Sequence, residues 1–246
     1  IWFNSEQDYN AQNAPIEYAY KNADAVIFQS EFNKKLTEHW FGVHKNSTII
    51  HNAADLALID RVDKNYWKLK LENYKEVWSC ASNWRPHKRL KENIEYFLEF
   101  APKNAILAVA GKNANASNLG ISDLWRQKDR IKFLGELDYL SLIALYKLSS
   151  TFIHLAYLDH CPNVVVDAQA AGCKIICSST GGTSEIINNG IVINEAEWDY
   201  SPIKLYQPPI MDFENIVKIS TKISLNKKSC IEKCAKMYYK VLRGIL

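Results

Sequence analysis

Apolar and polar positions along the 246-residue chain follow two rhythms. Short, nearly continuous apolar runs occur at AVIFQS (25–30), EVWSCAS (76–82), AILAVAG (105–111), IKFLG (131–135), TFIHLAY (151–157), KIICSS (174–179) and IVIN (191–194). Between them lie stretches with helical spacing: KRLKENIEYFLEF (88–100), SDLWRQ (122–127), YLSLIALYKLSS (139–150) and NVVVDAQAA (163–171). Strands that are apolar on both faces must be covered on both faces, so this alternation predicts a parallel sheet between helical layers, a doubly wound α/β domain over residues 74–195. Upstream, EFNKKLTEHWFG reads as a helix stopped at Gly42, and NSTIIHNAAD as a strand and turn. Residues 1–55 hold too few strands to form a domain and read as the tail of a truncated one. Residues 56–73 are polar and aperiodic, the pattern of a linker. Past Asn194, Pro202, Pro208 and Pro209 interrupt regular structure, so residues 196–246 read as an irregular segment followed by a helix in SCIEKCAKMYYKVLRGIL.

Composition narrows the class. Hydrophobic content of 48% and charged content of 23% are those of a globular protein, and a net charge of +3 suits an anionic small molecule without calling for nucleic acid. The longest apolar runs fall well short of the roughly 18–20 residues that span a membrane. The opening IWFNSEQDYN has neither an initiator Met nor a secretory pattern, as expected of a fragment or processed chain. Six cysteines, none in CxxC spacing, argue against structural zinc and for reduced thiols in a cytoplasmic protein. The NST at 46 and NAS at 115 are then chance matches to a glycosylation signal.

No GxGxxG follows a strand and no GxxxxGK[ST] occurs, which disfavours dinucleotide dehydrogenases and P-loop enzymes. A doubly wound sheet still binds ligands beyond the carboxyl ends of its strands. After the strand at 76–82, Arg85, Lys88, Arg89 and Lys91 crowd a helix start, where the dipole disfavours cations; either an anion or plain solvation must offset this. After the strand at 151–157 comes LDHCPNVVVDAQAAG. A helix opening near Pro162 leaves the N–H groups of Asn163 and Val164 free for an anion. Asp159 then either caps that helix or faces a ligand. Asp167, among Val164, Val165, Val166, Ala168 and Ala170, reads as a buried acid in need of partners. In KIICSSTGGTSEII, Gly181 and Gly182 permit close backbone approach, with Glu185 in the following helical turn.

Taken together, Asp159, seven residues, Asp167-Ala, a strand, then Gly181-Gly182 with Glu185 behind resemble the C-terminal, nucleotide-sugar-binding domain of GT-B glycosyltransferases, specifically family 4 (the glycosyl transferases group 1). The upstream ADAVIFQSEFNKKL and IIHNAAD resemble the end of that family's first domain. The resemblance implies a GT-B type, Rossmann-like C-terminal domain with a truncated, Rossmann-like N-terminal domain, and a terminal helix packed back on the latter. It implies retaining transfer of a sugar from a nucleoside diphosphate to an acceptor hydroxyl, without a cofactor or metal; no DxD motif occurs. By similarity Lys88 and Arg85 neutralise the departing diphosphate with the amides near Asn163 and Val164, Asp159 holds the sugar, and Asp167 the ribose. Gly181 and Gly182 lie against the diphosphate and sugar, and Glu136 and Leu137 near the base. The acceptor is a glycan, lipid or small molecule, with peripheral membrane contact left to the missing first domain, and this chain alone is expected to turn over little. Both acids are Asp where the family usually has Glu, and Asn83 stands where it commonly has Arg. Two readings remain beside this one, a non-catalytic nucleotide-sugar-binding subunit and a GT-B sugar-nucleotide epimerase. The histidines at 39, 44, 51, 87, 154 and 160 form no metal or nucleophile constellation, although His160 adjoins Asp159.

Overall fold

The computed structural model describes residues 1–65, 71, 74–114, 128–213, 218–222 and 230–244. The helix expected at 122–127 lies outside them. The chain opens with helix α1 (Tyr9–Asn22), then strand β1 (Val26–Phe28), helix α2 (Glu31–Phe41) and strand β2 (Ser47–Ile49), which pairs parallel with β1. Ser30 caps α2 by accepting from the Asn33 amide, and Gly42 ends it at φ +85°.

The aperiodic stretch after residue 55 opens in a short helix, α3 (Leu56–Arg61). Asp55 caps it, Ile59 is buried, and Leu56 and Leu58 pack against the main core. Three apolar residues in four positions suffice to seat one helical turn where overall polarity suggested a linker.

Among the described residues, six parallel strands form the main sheet: β3 (Glu76–Ala81), β4 (Ala105–Ala110), β5 (Ile131–Gly135), β6 (Thr151–His154), β7 (Lys174–Ser178) and β8 (Asn189–Ile193). A seventh, β9 (Lys218–Lys222), pairs antiparallel with β8, so the sheet extends beyond residue 195, into what the prolines marked as irregular. The spatial order is β5-β4-β3-β6-β7-β8-β9. Helix α4 (Leu90–Phe100) covers one face through Ile94 and Phe97. Helices α5 (Tyr139–Leu148) and α6 (Asn163–Ala170) cover the other through Ile143, Leu145 and Val165. Helix α7 (Thr183–Ile186) is a single turn after β7. The doubly wound α/β class is therefore the one observed.

The last described helix, α8 (Ile231–Arg243), meets the end of the 1–55 segment: the Ile231 amide donates to the Ala54 carbonyl at 3.0 Å. Among the described residues no helix is long and apolar enough to cross a membrane.

Candidate functional site

The strand order reverses between β3 and β6, because the chain runs outward from β3 through β4 to β5 and returns to begin β6 on β3's other side. Such a switch point opens a crevice at the carboxyl ends. Beyond β3, a 3-10 turn at Pro86–Lys88 delivers Lys88. Beyond β6, Leu158 takes a left-handed backbone, φ +55°, and turns Asp159 back over the strand ends. The two meet there: Lys88 Nζ donates to Asp159 Oδ2 at 2.6 Å. His154 Nε2, from the last residue of β6, reaches the same oxygen at 2.9 Å, and Oδ1 accepts from the His160 amide at 3.1 Å.

Burial pushes the Asp159 pKa up, but the hydrogen bond and charge of His154 and the Lys88 ammonium outweigh it and hold the carboxyl well below its usual range. Burial lowers the His154 pKa against the hydrogen bond and charge of Asp159, which raise it, and the contact assigns a proton to Nε2. Asp159 is thus an ionised carboxylate held by the Lys88 ammonium and the His154 N–H.

The glycine pair closes this arrangement from β7. The Gly182 amide donates to the Asp159 carbonyl at 2.7 Å, and Gly181, at φ +85°, forms a bridge with Asp159. A Cβ on Gly181 would lie 2.4 Å from the Asp159 carbonyl oxygen; one on Gly182 would lie 2.0 Å from that of His160 and 2.6 Å from Ser30 Oγ. The close approach expected of this pair is made by the protein's own backbone. Glu185 reaches across in the same region, its carboxylate accepting from the Glu31 and Phe32 amides at 2.7 and 2.8 Å at the start of α2.

Helix α6 begins as expected, with Pro162 at the N-cap and no side chain capping it. Asp159 therefore does not serve as the cap. The Val165 and Val166 amides return to the Pro162 carbonyl, leaving those of Asn163 and Val164 ahead of them at the helix tip. Asp167 is buried, 8% exposed, and burial pushes its pKa up to about 6; the Tyr139 hydroxyl, at the start of α5, is its side-chain partner. Tyr139 had escaped notice because residues 139 and 167 are brought together only by the packing of two helices.

The remaining candidates are scattered. Glu136 and Leu137 follow β5, three strands from β6. Glu136 is exposed and pairs with Lys112 at 3.3 Å, whereas Leu137 is half-buried against the core. Of the four cations near residue 88, Arg85 is exposed, Lys91 pairs along α4 with Glu95 at 3.7 Å, and Arg89 is buried against Glu195. Lys88 is the one at Asp159. A cavity of about 370 Å³ lies over the pair, bounded by Asn4, His87, His160 and Tyr206. His154 was missed because a histidine ending an apolar strand reads as core; its position five residues before the acid was the available signal. Among the described residues no cluster of His, Cys, Asp or Glu could hold a metal ion.

A six-stranded parallel sheet with Lys88 and Asp159 meeting beyond its switch point is a doubly wound α/β domain, a fold it shares with glycosyltransferases of GT-B type. The sequence matches the family described as Glycosyl transferases group 1 over residues 62–199, more than half of the chain, and the chain belongs to that family. In structure it is similar to Anabaena Alr3699/HepE crystallised with UDP and glucose, with a TM-score of 0.71 at 17% identity over 97% of this chain and 68% of that one. The same Anabaena protein with UDP-glucose gives a TM-score of 0.64 at 18% identity, covering 78% of this chain and 56% of that one. The catalytic domain of starch synthase IV from Arabidopsis thaliana, bound to ADP and acarbose, gives 0.64 at 15% identity, covering 94% and 58%. At these identities the likeness is one of fold, and the chain spans 56% to 68% of the length of these chains. No curated protein matches the chain in sequence.

Proposed function

We propose that the chain is the donor-binding part of a retaining, family 4 glycosyltransferase that moves a sugar from a nucleoside diphosphate to an acceptor hydroxyl. The observation that carries this reading is the Lys88–Asp159 pair at the sheet's switch point, 2.6 Å apart, with an uncapped helix tip following in the chain. When the sugar–phosphate bond breaks, negative charge grows on the diphosphate. A cation and oriented backbone amides stabilise such charge without a metal. Lys88 supplies the first, with Arg85 as a longer-range cation, and Asn163 and Val164 supply the second. Asp159, already ionised and fixed by His154, accepts hydrogen bonds from the sugar's hydroxyls. Asp167 accepts from the ribose, and Glu136 and Leu137 border the base at the end of β5. The Gly181–Gly182 loop acts by holding Asp159 in place. All six cysteines are free thiols, which suits a reducing cytoplasm.

The test is thermal-shift and calorimetric titration with UDP-, GDP- and ADP-sugars. One of them should raise the melting temperature, since a ligand that binds only the folded state stabilises it. Lys88→Ala should weaken that binding at least about tenfold, because it removes a charge-assisted contact. Absence of binding by all three, or undiminished binding by Lys88→Ala, would overturn the reading.

A further inference from the structure

Arg89 follows Lys88 directly and performs a different task. Its side chain is fully buried and its backbone is left-handed, φ +55° and ψ 51°, at the junction between the 3-10 turn and α4. A charged residue in a strained, water-excluded position requires a compensating arrangement. Here the guanidinium Nη1 lies 2.8 and 2.9 Å from the two carboxylate oxygens of Glu195. Nη2 donates to the Pro209 carbonyl at 2.7 Å, and the guanidinium sits 5.0 Å over the Tyr157 ring.

Glu195 in turn grips the exit of β7. Its carboxylate accepts from the hydroxyls of Ser178 and Thr180, and its amide donates to Ser179 Oγ at 2.9 Å. Those three residues run directly into Gly181 and Gly182. One buried ion pair therefore spans from the residue next to Lys88 to the segment leading into the glycine loop. Asp159 is held between the same two places, by Lys88 on one side and the Gly182 amide on the other. A buried ion pair is a poor device for stability alone, since apolar residues of equal volume often do as well, but it imposes distance and orientation.

We propose that Arg89 and Glu195 are positioning residues of the donor site, a buried strut that keeps Lys88 and the Gly181–Gly182 loop in register on either side of Asp159. This inference rests on the donor-site reading above. It differs from a purely structural role because it acts through Lys88.

A double-mutant cycle of Lys88→Ala and Glu195→Gln tests it, with calorimetric titration of UDP, GDP, ADP and the corresponding nucleosides. Glu195→Gln should weaken the bound diphosphate about tenfold while leaving nucleoside affinity unchanged, and should have no further effect in the Lys88→Ala background. Where Glu195→Gln does not fold, Arg89→Lys, which keeps the charge but cannot reach Glu195 and the Pro209 carbonyl with separate, rigidly spaced nitrogens, takes its place. The proposal is overturned if diphosphate and nucleoside affinities fall together, if the loss recurs in the Lys88→Ala background, or if the variant binds as wild type does. A wild-type chain that binds none of the three diphosphates removes the donor-site reading and the strut with it. That outcome is distinct from a binding wild type with an unaffected variant.

Discussion

Replacing Asp167 by Asn removes a charge while keeping the side chain's shape. The Asp167 pKa rises from 3.8 to about 6 through burial, and each pKa unit corresponds to about 1.4 kcal/mol. The ionised carboxylate therefore destabilises the fold by up to about 3 kcal/mol, and by about half that once solvent reaching the group is allowed for. The sign follows from the raised value. Below the unfolded pKa both states are protonated and the penalty vanishes; it develops as pH rises through the 3.8 to about 6 window and is complete above it. Asp167→Asn should thus be more stable than wild type at pH 7.5 by about 1.5–3 kcal/mol and close to it at pH 4. Urea unfolding of both proteins at the two pH values measures the difference, and the contribution of Asp159, present in each, cancels. A variant that is less stable than wild type by the same amount at both pH values would refute the reasoning, since the ionised carboxylate would then be well compensated in the fold. Stability gained together with nucleotide affinity lost is the signature of an acid retained for a ligand.

Two further outcomes follow from the glycine loop and its neighbours. Gly182→Ala places a methyl 2.0 Å from the His160 carbonyl oxygen, so the loop must shift; the melting temperature should fall by an amount corresponding to about 1–3 kcal/mol or more, and an unchanged melting curve would contradict the geometry. Glu185→Ala strips two amides at the start of α2 of their acceptor, and hydrogen exchange at Glu31 and Phe32 should accelerate about tenfold, in line with a lost cap of about 1 kcal/mol.

How much was legible in the sequence depended on how local the signal was. The six parallel strands stood out because each contains a short, nearly continuous apolar run, and that pattern is local. The first helix, α1, did not: its polar composition, with Pro15 inside, carries no clear helical period. Asp159 and Asp167 were found by spacing within one loop and helix, again a local pattern. Arg89 was misread as one of four similar cations because its partner Glu195 lies 106 residues away, a distance only the fold closes. The glycine pair was recognised as a point of close approach, but the approaching group, the backbone beside Asp159, could be seen only once β6 and β7 were paired.

The order of the strands has a kinetic consequence. Strands β3, β4 and β5 are consecutive in the chain, as are β6, β7 and β8, and the two groups join where Trp78 pairs with Thr151 and Ser79 with Phe152. Closing that seam means bringing together segments about seventy residues apart, the most entropically demanding pairing among the parallel strands. Lys88 belongs to one group and Asp159 to the other. Neither half can display the pocket alone, so the ability to hold a ligand arises with the joining of the seam, and a ligand that bridges the two residues slows their separation.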